Sequence, residues 1–102
     1  MNFVVTYHQI VVKEDIPRLG TMERHRIQRA IEQKLMTTPE LFGKPLRRSL
    51  KGYRKLRVGD HRIVFYIQGQ TVFILAILHR SVVYEEIEHR HKSYLPSKSS
   101  RL

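Results

Sequence analysis

Hydrophobic residues follow a helical period in the first half of the chain and form strand-like runs in the second half. Within residues 22–36 the apolar side chains recur every three to four positions, which predicts an amphipathic helix. These side chains are Ile27, Ala30, Ile31 and Leu35. Residues 11–19 have the same spacing, and Pro17 within them limits the predicted helix to a short piece. The pattern therefore indicates two consecutive helices.

Four segments have the composition of β-strands, one ahead of the helices and three behind them. They are residues 2–8, 52–58, 61–67 and 71–78. Two prolines and a glycine mark residues 37–46 as a loop, and residues 82–93 have the pattern of a short closing helix. The order β-α-α-β-β-β, with short links in its second half, predicts an α+β fold with a mostly antiparallel sheet and helices on one face.

A tight hairpin is predicted where Gly59 and Asp60 form a two-residue turn between apolar flanks. Folding there places Arg57 directly opposite Arg62. One face of the hairpin then carries a set of cations: Lys55, Arg57 and Arg62. Because like charges that face each other destabilise a sheet, two interpretations stand. Either the side chains splay apart in water at little cost, or an anion lies between them during function.

The last two predicted strands are apolar at nearly every position, whereas a strand with one wet face should alternate. The sheet face away from the helices is therefore also apolar near its middle, with cations at its margin. Such a surface is typical of a site for a partner or ligand. Alternatively, the segment 82–93 folds back and covers it, and the two interpretations are compatible.

The composition limits the classes of protein that remain. The 102 residues suffice for one domain, and 19 Lys and Arg against 9 Asp and Glu give a net charge of +10, which favours anionic partners. There is no cysteine, no signal-peptide pattern and no run of transmembrane length, so we expect a soluble cytoplasmic protein. The domain is expected to span residues 1–93, followed by a disordered basic tail at 94–102.

The second half of the chain resembles the RelE/ParE toxin superfamily of type II toxin–antitoxin pairs. The resemblance rests on three motifs that follow two helices in order: G-x-R, R-V-G-D-x-R and H-R-x-x-x-Y, read in LKGYRKLRVGDHRIVFYI and HRSVVYEE. It extends over roughly residues 3–87 and implies a microbial-ribonuclease-like fold. In the RelE branch it also implies cleavage of mRNA in the ribosomal A site. In the ParE branch it implies poisoning of DNA gyrase without RNA cleavage.

Cleavage of RNA by transesterification needs a deprotonated 2′-hydroxyl, cations around the phosphorane and an acid for the leaving oxygen. The resemblance assigns these roles to five residues: Lys55, Arg57, Arg62, Arg80 and Tyr84. Lys55 and Arg57 would hold the phosphate and adjust proton transfer. Arg62 would clamp the transition state, with Arg80 as a second clamp or the general acid. Tyr84 would stack on a base or orient the 2′-hydroxyl.

The resulting expectation is a RelE-type mRNA interferase without cofactor or metal, acting on mRNA in the 70S ribosome and held inactive by an acidic antitoxin. Operator DNA would be bound only through the antitoxin complex, and no membrane is expected to be a partner. A ParE-like gyrase inhibitor is the main alternative, and a catalytically inactive regulator that binds antitoxin and operator is a third. The basic residues at Lys55, Arg57, Arg62 and Arg80 favour the RelE branch.

Three points stay open in the sequence. A two-residue turn at Gly69-Gln70 would place Arg62 and Arg80 on opposite faces, so a common site requires an odd loop or a β-bulge. His79 is either a proton shuttle or a structural residue at the strand end. Several other side chains are given structural or solvated roles: His61 at a turn, His89 and His91 without a third metal ligand, and Tyr53 and Tyr66 as a packed pair that could instead stack on bases.

Overall fold

A five-stranded sheet organises the computed structural model, which describes residues 2–46 and 52–94. Its strands are β1 (Val4–Tyr7), β2 (Lys44–Pro45), β3 (Arg54–Val58), β4 (His61–Gln68) and β5 (Thr71–His79). They lie in the order β1-β5-β4-β3-β2, with β1 parallel to β5 and all other pairs antiparallel. The predicted α+β class and element order are confirmed. The structure adds β2, in a segment for which the sequence predicted only a loop.

The helical segments occupy the two predicted regions and the predicted closing region. A π-helical turn (Val11–Asp15) runs into a 3₁₀ turn (Ile16–Arg18), and α1 (Thr21–Ala30) continues into a second π-helical turn (Ile31–Leu35). The last helix is α2 (Val83–Tyr94). Helix α1 has Gly20 as its N-cap. Among residues 2–46 and 52–94, no helix has the length and apolarity that crossing a membrane requires.

The core has two layers, one on each face of the sheet. The first packs the helical segments between Val11 and Leu35 against buried residues of β3, β4 and β5. The second packs Val83 and Ile87 of α2 against the opposite face. Helix α2 therefore covers the apolar surface for which the sequence left open a covering segment or a partner. The predicted arrangement, with helices on one face of the sheet, holds for the helical segments up to Leu35. Helix α2 lies on the opposite face of the sheet.

The β3–β4 hairpin has the predicted register, with Arg57 opposite Arg62 and Val58 opposite His61. Gly59 has φ of 62°, a conformation that glycine adopts without the steric cost of a Cβ. The guanidinium of Arg26 also packs over this turn, since a Cβ added to Gly59 would lie 2.9 Å from its Nη1. The turn is thus fixed both by backbone geometry and by a contact from α1.

A β-bulge in β5 decides which side chains share a face. The β4–β5 turn has two residues, with Gln68 opposite Thr71, yet Phe65 pairs with Ile74 while Val64 pairs with Ala76. Leu75 is therefore an extra residue, and the face alternation of β5 is inverted beyond it. Because of this inversion, Leu78, the partner of Arg62, points to the same face of the sheet as Arg62.

A buried ion pair joins the N-terminal helical region to α2. The guanidinium of Arg90 donates two hydrogen bonds of 2.8 Å to the carboxylate of Asp15, and both side chains are at most 2% exposed. Asp15 also accepts the backbone N–H of Ile77 at 2.9 Å, just beyond the point where β1 stops pairing with β5. Asp15 therefore provides an acceptor for a backbone N–H at the edge of β5, and its pairing with Arg90 holds α2 against the sheet.

The domain prediction extends beyond the described residues. Its proposed disordered tail at 94–102 lies outside them except for Tyr94, which is the last residue of α2.

Candidate anion-binding cleft

The cations of the β3–β4 hairpin lie on the face of the sheet that carries α2. Lys55 and Arg62 are half-buried and Arg57 is exposed. Arg57 and Arg62 are direct cross-strand partners, so the opposed like charges predicted from the sequence are present. Among the described residues, no carboxylate forms an ion pair with any of the three. Their charge is therefore left for solvent or for an anionic ligand.

Arg62 is held in place by the hairpin turn that precedes it. Its Nη1 donates hydrogen bonds to the carbonyl oxygens of Gly59, at 3.1 Å, and of His61, at 2.9 Å. These bonds fix the guanidinium without neutralising its charge, because the acceptors are uncharged. A cation fixed in this way is preorganised for a negative group.

Arg80 follows β5 and lies beside the same turn. Its backbone N–H donates to the carbonyl oxygen of Asp60 at 2.8 Å, which ties the end of β5 to the hairpin. Its side-chain Nε lies 3.8 Å from Asp60 Oδ1, and both side chains are largely exposed. An exposed pair of this length is weak and screened by salt, so Arg80 can exchange this carboxylate for a phosphate.

Tyr84 lies in the first turn of α2, and its half-buried ring faces the sheet cations. Lys55 Nζ is 4.6 Å from the centre of that ring, within the range of a cation–π contact. Helix α2 therefore supplies an aromatic wall for the cationic face, and its docking on the sheet sets the position of Tyr84.

The structure brings four of the five predicted site residues into one cleft of about 360 Å³. Its lining consists of three cations and the aromatic wall, with three further residues at the end of β5 and the start of α2: Lys55, Arg62, Arg80, Tyr84, His79, Ser81 and Val83. Arg57 is not in this lining. It lies in an adjoining cleft of about 380 Å³ that shares Lys55 and Arg62 with the first. The bulge at Leu75 is what allows Arg62 and Arg80 to meet.

His79 has contacts that support a structural role at the cleft margin. Its Nδ1 accepts the backbone N–H of Ser81 at 3.2 Å and lies 2.8 Å from the Ser81 hydroxyl. Its ring makes an edge contact with His61, with centroids 5.9 Å apart. His61, expected to be solvated, is half-buried in this pair. The His79 ring also lines the cleft, so its role in proton transfer stays a hypothesis.

Tyr53 and Tyr66 are packed as a pair, with ring centroids 6.1 Å apart, and Tyr66 stacks on Phe73 at 4.8 Å. The Tyr53 hydroxyl lies 3.0 Å from Nδ1 of His91 on α2. Burial raises the pKa of Tyr53 above its ordinary value, and the neighbouring Tyr66 raises it further. Tyr53 therefore stays neutral near pH 7 and is no candidate for a general base.

Two polar side chains of the clefts were missed by the sequence reasoning. Lys44 lines the second cleft from β2, and Ser81 lines the first. Lys44 fell in a predicted loop, and no periodicity there indicated that it would pair with β3. Within the described part of the chain, no group of three or more His, Asp or Glu side chains could hold a metal ion.

Comparison with known proteins defines the class to which this fold and cleft belong. The chain matches the family model described as the ParE toxin of the type II toxin–antitoxin system, parDE, over residues 12–84. No curated protein matches it. Because the match covers well over half of the chain, the protein belongs to this family of type II toxins, within the RelE/ParE superfamily.

Solved structures agree with this assignment. A chain of the toxin–antitoxin complex RelBE2 from Mycobacterium tuberculosis is 28% identical, with a TM-score of 0.72 over 78% of this chain and 100% of that one. The archaeal RelE–RelB complex from Pyrococcus horikoshii contains a chain that is 24% identical, with a TM-score of 0.64 over 78% of this chain and 97% of that one. A variant of the Escherichia coli toxin RelE with two arginines replaced by alanine, in the free state, is 21% identical, with a TM-score of 0.68 over 88% of this chain and 98% of that one. The last two likenesses establish the shared fold.

Proposed function

We propose that this toxin is an mRNA endoribonuclease that cleaves by attack of a 2′-hydroxyl on the adjacent phosphate. The P–O2′ bond forms as the P–O5′ bond breaks, so the products are a 2′,3′-cyclic phosphate and a 5′-hydroxyl whose oxygen has taken up a proton. The observation that carries the proposal is the cleft in which Lys55, Arg62 and Arg80 converge beside Tyr84. A phosphorane gains negative charge as it forms. Fixed cations around it therefore stabilise the transition state more than the ground state, which lowers the barrier. No cofactor enters this scheme.

Each cleft residue has a role that follows from its position. Arg62, fixed by two carbonyl oxygens, stabilises the charge that develops on the phosphorane. Arg80 exchanges its exposed contact with Asp60 for the phosphate and serves as a second clamp or as the acid for the leaving oxygen. Lys55 holds the phosphate from β3, with Arg57 beside it in the adjoining cleft. Tyr84 stacks on a base or orients the 2′-hydroxyl.

Dependence on the ribosome is part of the proposal. The cleft is open to solvent, and its cations can hold a phosphate without aligning the 2′-hydroxyl for in-line attack. A messenger held extended in the ribosomal A site of the 70S particle would bring that alignment with it, which is worth several kcal/mol in favourable cases. The toxin would then act in the cytoplasm, where ribosomes and their messages are found.

A second candidate is inhibition of DNA gyrase without RNA cleavage, because the matched family model is that of the ParE toxin. A catalytically inactive regulator is the third. Lys55 and Arg62 form no ion pair with a carboxylate of residues 2–46 and 52–94 and line the cleft together with Tyr84. This convergence favours RNA cleavage, since binding to gyrase alone does not require it. Primer extension on ribosome-bound mRNA, run beside a gyrase supercoiling assay with the same purified toxin, distinguishes the three. Cleavage sites with unchanged supercoiling support the proposal, and inhibited supercoiling without cleavage contradicts it.

An acidic antitoxin is the proposed partner, since a chain of the RelBE2 toxin–antitoxin complex is among the similar structures. Its carboxylates would lie against Arg57, Arg62 or Arg80, and its amphipathic segment would bury apolar surface of the toxin. The start of α2 around residues 83–87 would be displaced or reshaped as the partner binds. Operator DNA would be contacted through the antitoxin in this complex.

Association with the antitoxin should slow as ionic strength rises, because the net charge of +10 attracts an acidic partner over long range. Stopped-flow measurement of the association rate from low to high salt checks this expectation, while the dissociation rate should change far less. A salt-independent association rate would contradict the model of inhibition. A complex that still binds RNA on the basic face would contradict it as well.

Substitutions of Tyr84 should separate its two possible roles. If the ring stacks on a base, Tyr84→Phe stays nearly active, while Tyr84→Ala loses about 1–3 kcal/mol of base binding. If the hydroxyl takes part in proton transfer, the phenylalanine variant is as damaged as the alanine variant. Cleavage rates on ribosome-bound mRNA measure the difference. Full activity of both variants would remove Tyr84 from the site.

A further inference from the structure

We propose that the second cleft, formed by Lys44, Lys55, Arg57 and Arg62, binds the phosphate next to the one that reacts. The substrate would then be a single-stranded polynucleotide that crosses the sheet from Tyr84 towards β2. This inference rests on the proposed function, and it assigns Lys44 a binding role beyond the five residues of the proposed site.

Strand register places the four cations of the second cleft on one face. Lys44 is the direct partner of Lys55 across β2 and β3, and Arg57 is the partner of Arg62 across β3 and β4. Directly opposed residues project from the same face. Lys55 and Arg57 also share a face because they are two positions apart in β3, about 7 Å along the strand. The cations thus form a staggered block across three strands, with one on β2, two on β3 and one on β4.

The two clefts form one continuous cationic track. Lys55 and Arg62 line both of them, with Arg80 and Tyr84 on one side and Lys44 and Arg57 on the other. A single phosphate contacts only one part of such a track. A chain with phosphates at successive positions can place one in each cleft and let the shared cations contact both.

The backbone of β2 holds Lys44 in this block. Gly43 has φ of 80°, and a Cβ there would lie 2.8 Å from the ring of Phe65, so only glycine lets the chain pass this ring closely. Beyond Pro45, the backbone N–H of Leu46 donates to the carbonyl oxygen of Tyr53 at 3.0 Å and keeps the segment paired with the chain that leads into β3. These backbone contacts of β2 therefore fix the position of Lys44 on the cationic face of the sheet.

Charge also favours an anionic occupant. In residues 2–46 and 52–94, neither Lys44 nor Arg57 has an ion-pair partner. Four like charges on neighbouring positions destabilise the sheet, and this cost is relieved when phosphates lie among them. Asp60 contacts Arg80, which lines the first cleft and not the second.

The test is equilibrium binding of short RNA whose 2′-hydroxyls at the cleavage step are replaced by hydrogen, which blocks the reaction. Lys44→Ala and Arg57→Ala should each lower the slope of log affinity against log salt by about 0.7, the value for one phosphate contact on a single strand. Lys13→Ala, which removes an exposed cation from the Val11–Asp15 turn, is the matched control and should leave the slope unchanged.

A dinucleotide with a single phosphate provides the second arm, since it can fill only the reacting position. Lys44→Ala should leave the affinity of the toxin for the dinucleotide unchanged. The same substitution should lower the affinity for an oligonucleotide with several phosphates. In cleavage of ribosome-bound mRNA, the same substitution should raise KM and leave kcat nearly unchanged, because it removes ground-state binding.

The outcomes separate the inference from the proposed function. Cleavage by the wild type, with slopes unchanged in both cleft variants, would overturn the second phosphate site and leave the proposed function standing. Sensitivity to Lys44→Ala in antitoxin association but not in RNA binding would assign the cleft to the partner and overturn the inference. A wild type that neither binds nor cleaves RNA would overturn both.

Discussion

Asp15→Ala is expected to lower the free energy of unfolding by about 3–5 kcal/mol, the usual cost of removing one partner from a buried ion pair. The substitution leaves the guanidinium of Arg90 buried without its carboxylate, and it leaves the N–H of Ile77 without its acceptor. Glu86 offsets only part of the loss, since it contacts Arg90 through Nε alone and is itself partly exposed.

The effect should extend to the cleft, because Arg90 lies in the helix that carries Tyr84. Loss of the pair loosens α2, so hydrogen exchange of its amides should accelerate more than exchange in β4. Cleavage should weaken even at temperatures where the variant remains folded. Denaturant titration measures the free energy of unfolding, and hydrogen exchange measures the local opening of α2.

An exposed pair provides the matched control for this buried one. Glu14→Ala removes the neighbouring ion pair with Arg18, whose atoms are 3.7 Å apart and whose side chains are largely in solvent. It should cost less than about 1 kcal/mol. The double variant Asp15→Ala/Arg90→Ala should cost less than the sum of the single variants, because no uncompensated charge remains. A loss below 1 kcal/mol for Asp15→Ala would contradict this account of how α2 is held.

Arg62→Ala and Arg80→Ala should each slow cleavage of ribosome-bound mRNA by about 10²–10³-fold, which corresponds to roughly 2.7–4 kcal/mol of lost transition-state stabilisation. Both cations face the cleft where the phosphorane would form. Arg62 should affect kcat the more strongly, since its fixed position demands no reorganisation during the reaction. The rate is measured by primer extension over time with toxin in excess.

The fold should survive these changes, because substitutions at exposed or half-buried surface positions usually cost little stability. Circular dichroism and the unfolding midpoint verify this for each variant. Arg18→Ala serves as the control for loss of one positive charge far from the cleft. A double variant Arg62→Ala/Arg80→Ala that cleaves at the wild-type rate would exclude this cleft as the catalytic site.

The hairpin shows how much of the site local sequence can predict. A two-residue turn with glycine first fixes which residues face each other, so the Arg57–Arg62 pair followed directly from the turn position. The helix at 22–36 followed likewise from its apolar stripe, since a 3.6-residue period can bury only one face. Both features depend on interactions between residues close in sequence.

The cleft depended on features that local pattern does not encode. Whether Arg80 joins Arg62 was undecided in the sequence because a bulge leaves no mark in an apolar run, where either face can be buried. Lys44 was missed because a two-residue edge strand forms only through its partner in β3. Membership of the toxin family, by contrast, was evident from motifs that the sequence carries whole.

Sequence alone therefore determined the α+β class, the order of helices and strands, the hairpin register and the excess of positive charge. Only the tertiary structure decided that α2 covers the second face of the sheet and that Asp15 holds it there through Arg90. The two residues are 75 positions apart, and their pairing depends on where whole elements pack. Because a buried charge is tolerated only beside its partner, that packing fixes α2, and with it the tyrosine wall of the cleft.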